Sequence, residues 1–221
     1  MKLQDLIGEL EQKHVKLIAV SKTKSVEEIR TVYNTGIRDF GENKVQELIS
    51  KHEQLPDDIH WHLIGHLQTN KVKYIAPFVH IIHSVDSLKL LVEINKQAEK
   101  NNRIIDYLFQ IHIAREETKF GLRVEECSHL LNDAQWTKLK HIRLRGLMAM
   151  ASNTSDANQI SEEFTRIRHY FMEVKQRFNQ VTDNICFDEL CIGMSSDYEI
   201  AIACGATMVR IGSLIFGSRN G

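Results

Sequence analysis

The chain has no apolar run approaching the roughly 20 residues that a bilayer-spanning helix needs. Its opening residues, Met1-Lys2-Leu3-Gln4-Asp5, lack the apolar stretch of a signal peptide. Neither a membrane segment nor secretion is expected. The four cysteines form no Cys-x-x-Cys pair, so the commonest zinc and dithiol motifs are excluded and the expectation is reduced thiols in a cytoplasmic protein. Neither charge dominates: 28 basic residues stand against 29 acidic ones, a net charge of -1. Nothing therefore supplies the positive field that holds nucleic acid or an anionic membrane. Only two prolines occur in 221 residues and no stretch reads as a linker, which predicts one continuous domain, 1–221.

What the chain does have is alternation. With 43% hydrophobic and 26% charged residues, it has the makings of an ordinary core. Residues 3–14 carry helical spacing, and the apolar run 15–20, closed by Ser21, has the pattern of a strand buried on both faces. Strands are expected near 37–40, 59–64, 79–83, 104–113, 142–150, 187–192 and 207–211. Helices are expected near 26–34, 44–53, 68–76, 86–100, 124–132, 158–178 and 197–204, with Asp86 as an N-cap. Eight strands separated by helices imply parallel pairing, because each parallel neighbour needs a crossover. The expected fold is α/β: a single TIM-type (β/α)8 barrel preceded by an extra helix. A doubly wound open sheet has the same alternation but more often places a glycine-rich phosphate loop after its first strand, where this chain has Lys22.

In such a barrel the chemistry sits where strands hand over to helices. Those junctions carry Lys22, Gly41-Glu42-Asn43 (Gly41 read as a sharp turn), Gly65-His66, Gly193-Met194-Ser195-Ser196 and Arg210-Ile211-Gly212-Ser213. Backbone N–H groups approach a phosphate only where side chains are small, which makes Ser195, Gly212 and Ser213 phosphate candidates. A lysine at the end of an apolar strand is desolvated, which favours the neutral amine that attacks aldehydes, so Lys22 is a Schiff-base candidate. On position alone, a solvated lysine near Lys13, Lys16 and Lys24 fits equally well. His60 and His62 share one strand face, with His66, His80 or His83 as third metal ligands, but no cysteine or carboxylate completes a familiar spacing and no metal site is expected. Met148 and Met150 read as core.

Six segments then coincide: Ala19-Val20-Ser21-Lys22-Thr23-Lys24, Phe40-Gly41-Glu42-Asn43, the run 61–71 (Trp61-His62-Leu63-Ile64-Gly65-His66 and onward through Asn70-Lys71), Arg145-Gly146-Leu147-Met148-Ala149-Met150, Gly193-Met194-Ser195 and Val209-Arg210-Ile211-Gly212-Ser213. In this order they resemble the pyridoxal phosphate homeostasis proteins from end to end. The resemblance implies the barrel of the alanine racemase N-terminal domain (fold type III), with pyridoxal 5'-phosphate (PLP) held as a Schiff base on Lys22. It implies Arg210 at the pyridine nitrogen, Ser195 with the backbone of Gly212 and Ser213 at the phosphate, Asn43 and His62 lining the pocket, and Met194 among the cofactor-binding residues. Ser25 departs from the proline many relatives carry there, which should alter only how the next helix begins.

The implied function is intracellular PLP homeostasis: binding, buffering or delivering the cofactor, with apo PLP-dependent enzymes as recipients and indirect effects on amino-acid and keto-acid metabolism. Robust catalysis is not expected. Arginine is donor-only and cannot protonate the ring nitrogen, and no residues follow the eighth unit to form the second domain of a two-base racemase. A monomer is expected. The alternatives are a slow racemase with Lys22 as its single base and, ranked last, a Schiff-base aldolase that works without PLP.

Overall fold

The computed structural model describes residues 3–116, 120–178 and 184–217. An amphipathic helix α1 (Leu3–Gln12) precedes eight strands: β1 (Lys16–Val20), β2 (Asp39–Glu42), β3 (His60–Leu63), β4 (Ile81–Val85), β5 (Ile105–His112), β6 (Ile142–Met150), β7 (Ile185–Met194) and β8 (Met208–Ile211). Between and after them run α2 (Val26–Tyr33), α3 (Val45–His52), α4 (Val72–Ile75), α5 (Leu88–Lys100), α6 (Val124–Leu131), α7 (Ala157–Arg177), α8 (Tyr198–Ala203) and α9 (Ser213–Phe216). All strands pair in parallel with their sequence neighbours, and β8 pairs with β1 to close the barrel. Both prolines, Pro56 and Pro77, fall in connections, where their missing N–H costs no ladder bond.

The two-residue period of the strands divides the core in two. Ile18, Ile81, Leu108, Met148, Cys191 and Met208 point inward and fill the barrel. Ala19, Phe40, Trp61, Ile82, Phe109 and Val209 point outward and join the layer under the helices. Beneath the inner layer, at the N-terminal ends of the strands, Arg145 bonds to Asp106 at 2.8 Å and Glu189 at 3.4 Å, and Lys16 reaches Glu189 at 3.6 Å. The barrel interior is therefore filled and its lower end braced by charge, which leaves the C-terminal mouth for a ligand.

Several local expectations shift. Gly41 is not a turn but an inward residue of β2, where an added Cβ would stand 3.1 Å from Ile18 and 3.2 Å from Ile64. The cap of α5 is Ser87, whose hydroxyl accepts from the Leu90 amide, rather than Asp86. Ser25 makes a capping box with Glu28 at the start of α2, so the position that lacks proline is stabilised by hydrogen bonds instead. All four cysteines are free thiols. Among the described residues no helix is long and apolar enough to cross a membrane.

Candidate functional site

At the C-terminal ends of the strands lies a cavity of about 620 Å³, within the range of small-molecule sites. Lys22, Asn43, Met194, Ser195, Arg210, Gly212 and Ser213 all line it. Lys22 stands two residues beyond Val20, on the inward phase of β1, and is half-buried. The loop that carries it is held from both sides. The Thr23 amide donates to Glu47 at 2.5 Å, and Lys24 Nζ donates to the Phe216 carbonyl and to Glu28, each at 3.1 Å.

Arg210 is buried at 4% exposure. Its guanidinium is fixed from behind: Nη1 donates to the Cys191 carbonyl at 2.9 Å and to Cys191 Sγ at 3.0 Å, and Nη2 to the Ala149 carbonyl at 3.1 Å. Burial pushes the Cys191 thiol up, so it remains neutral and supplies no counter-charge. No carboxylate among the described residues pairs with Arg210. A buried cation that lines a cavity without an anion calls for an acceptor inside that cavity.

Across the mouth, the Gly212 amide donates to Ser195 Oγ at 3.1 Å, which ties the loops after β7 and β8 together. Asp197 stiffens the first of these by accepting the Met194 amide at 2.6 Å. Gly193 adopts φ +92, and a Cβ there would lie 2.5 Å from that of Ala201, so glycine is required where β7 turns into this loop. Gly65 meets the same demand by proximity: its Cβ would stand 2.3 Å from the Asn43 carbonyl, and this close approach sets Asn43 on the cavity wall.

His62 does not line the cavity. It occupies the barrel interior, fully buried, with Nδ1 2.8 Å from His83 Nε2 and Nε2 2.9 Å from Asp39. This corrects the pocket-lining expectation: His62 shares the inward phase of β3 with Ile64, and it is Ile64, two residues nearer the mouth, that reaches the cavity. Burial holds both His62 and His83 below the usual imidazole range. The cavity also has walls that the junction residues do not reveal. Gln110 and Met150 reach it from within β5 and β6, and His66 stacks on Phe120 at 4.4 Å along the rim. Gln110 had a signal, a lone amide in the otherwise apolar run 107–111; Phe120 had none.

The sequence model described as the alanine racemase N-terminal domain matches residues 3–220. A pyridoxal phosphate homeostasis protein of Aquifex aeolicus is 41% identical over 207 residues, covering 93% of this chain and 87% of that one. The chain belongs to the pyridoxal phosphate homeostasis protein family. Two structures of PipY from Synechococcus elongatus are each 33% identical and cover 98% of this chain and 100% of that one. The PLP-free structure superposes with a TM-score of 0.88 and the PLP-bound one with 0.85. The match includes the strand-to-helix junctions that build the cavity, because it leaves almost no part of the chain uncovered.

Proposed function

We propose that this chain binds PLP in the cavity at the barrel mouth and serves PLP homeostasis by holding the cofactor, buffering it or passing it on. The observation that carries the reading is buried Arg210, which has no carboxylate partner among the described residues, in the same cavity as half-buried Lys22. The residues fit the group. Lys22 supplies the amine that holds an aldehyde as a Schiff base. Arg210 supplies a donor for a ring nitrogen that accepts. Ser195 Oγ and the Ser213 backbone at the start of α9 supply donors for a phosphate, and the Gly212 amide, bonded to Ser195 Oγ, holds that hydroxyl in place. Asn43 and Met194 complete the walls.

When bound, PLP supplies a reactive aldehyde and an electron-withdrawing ring. The chain's own residues favour retention over turnover. Arg210 is permanently charged and donates a hydrogen bond without transferring a proton to the ring nitrogen, so it orients the ring without strengthening it as an electron sink. Removing its hydrogen bond should weaken binding. Arg210→Met is expected to lower PLP affinity about 10- to 100-fold, the cost of one charge-assisted hydrogen bond, and equilibrium dialysis against PLP checks this.

The same reading makes apo PLP-dependent enzymes the recipients, with the chain acting as a cytoplasmic monomer. Mixed with such an apo enzyme, the PLP-loaded protein is expected to activate it faster than PLP escapes from the loaded protein into an excess of a small-molecule aldehyde trap. Activation at the escape rate would reduce the role to buffering.

A further inference from the structure

At the opposite end of the barrel, three neighbouring strands bring imidazoles and a carboxylate to one point. Asp39 opens β2 and pairs in register with His60, the first residue of β3. His62 follows two residues on, along the same strand face. His80 immediately precedes β4, its amide bonded to the Trp61 carbonyl at 2.9 Å. Asp39 Oδ1 lies 2.9 Å from His62 Nε2 and 3.4 Å from His60 Nδ1. The His80 ring stacks on His60 with centroids 4.5 Å apart and tilts over His62 at 5.6 Å. One ligand atom from each of Asp39, His62 and His80 falls within 4.8 Å of the other two.

We propose that Asp39, His62 and His80 form a binding site for a late first-row divalent metal ion, Zn2+ foremost, with His60, whose Nδ1 lies 3.4 Å from Asp39 Oδ1, able to swing in as a fourth ligand. Bonds of about 2.0–2.2 Å to imidazole nitrogen and carboxylate oxygen in tetrahedral geometry place ligand atoms roughly 3.3–3.5 Å apart. The present spacings bracket that value and need at most about 1.5 Å of convergence. His60 is half-exposed, with its side chain at 50% exposure, so the site has a solvent route and a ligand free to swing. Imidazole with a single carboxylate suits Zn2+, Co2+ or Ni2+ better than Mg2+ or Ca2+, which take oxygen shells. The other charges that face the cluster are Lys16, drawn towards Glu189, and Asp106, held by Arg143 and Arg145.

His62 already has the second partner that metal-bound histidines have. In the ion-free protein a carboxylate at Asp39 can only accept, which assigns the donor N–H to His62 Nε2 and leaves its Nδ1 to accept from His83 Nε2–H. An ion at Nε2 takes that lone pair, so the Nε2 proton must leave and Nδ1–H must now donate to His83 Nε2. His83 then carries its proton on Nδ1, an atom that is buried and without a hydrogen-bond partner. The pair holds the same number of protons before and after, and no redox step is involved. The sequence hides this site because His60 and His62 lack a carboxylate at any familiar spacing; the β2–β3 register supplies Asp39 from a different strand.

The test is Zn2+ uptake by the full chain carrying no affinity tag, measured in competition with a chromophoric chelator. Co2+ serves as the spectroscopic probe and thermal melting as the readout of linkage. One equivalent of Zn2+ should bind, raise Tm and yield to a Co2+ spectrum of tetrahedral type. Asp39→Asn and His80→Ala should each weaken uptake at least about tenfold, whereas His129→Ala, at an exposed position on α6, should not. Circular dichroism confirms that each variant is folded, and His80→Ala, at a half-buried position, suffices if Asp39→Asn is not. Absence of saturable uptake, or uptake of equal strength in the His80→Ala variant, would overturn the proposal and assign the ion to scattered surface histidines.

Discussion

The Lys22→Ala variant is expected to lose the visible absorption band of the PLP-loaded protein altogether. That band requires an imine conjugated with the pyridine ring, and the imine requires a lysine amine at the cavity wall. Only Lys22 and Lys24 line the cavity among the described lysines. Lys24 is already committed, its ammonium bonded to the Phe216 carbonyl and Glu28 at 3.1 Å each. Moving it to the aldehyde would cost both bonds and unfasten the loop from α9. The phosphate and ring contacts remain in the variant, so PLP should still bind, more weakly and without colour. Borohydride reduction followed by peptide mapping should place the label on Lys22 in the wild type and on no residue in the variant. A retained band with label on Lys24 would transfer the anchor to that residue. Folding should be little affected, because truncating a half-buried side chain at a loop opens no core cavity.

The barrel was legible because its strands are apolar runs and its helices amphipathic, and the cavity because polar residues gathered at the strand-to-helix junctions. What escaped did so for identifiable reasons. The second strand, expected at 37–40, is Asp39–Glu42. Glu42 does not look like a strand residue, and it is one only because Lys51 of α3 neutralises it from across the layer. Gln110 lies within the β5 run and Met150 at the end of β6, where it read as core, and they reach the cavity because their inward phase brings them under the mouth. His62 shows the converse. Its motif places it beside the junction, but the strand phase and register place it one layer down, against Asp39 and His83, neither of which is near it in sequence.

That outer-layer charge pair makes the other large effect predictable. Lys51 is 5% exposed and Glu42 fully buried. Lys51 Nζ donates to the Ser21 carbonyl at 2.8 Å, Glu42 Oε1 at 2.7 Å and Glu47 Oε1 at 2.6 Å, which uses all three ammonium protons. Ser21 Oγ also donates to Glu42 Oε1, at 2.5 Å. Burial pushes the Glu42 carboxyl up, against the lowering effect of the Lys51 and Ser21 hydrogen bonds. Lys51→Met takes away the cation and leaves a buried carboxylate without its counter-charge, which should cost about 3–5 kcal/mol of stability in denaturant unfolding. Adding Glu42→Leu should recover most of that loss, because the unpaired charge goes with it, so the two substitutions should be strongly non-additive. PLP affinity should not recover in step. The Ser21 carbonyl and the Thr23 amide flank Lys22, and Thr23 has φ +65, a left-handed backbone that a β-branched residue holds only under constraint. Lys51 grips one side directly and orients Glu47 for the other. A double variant as stable as the wild type but several-fold weaker for PLP would show that the network positions Lys22 as well as stabilising the fold. Full recovery of both would confine Lys51 to stability.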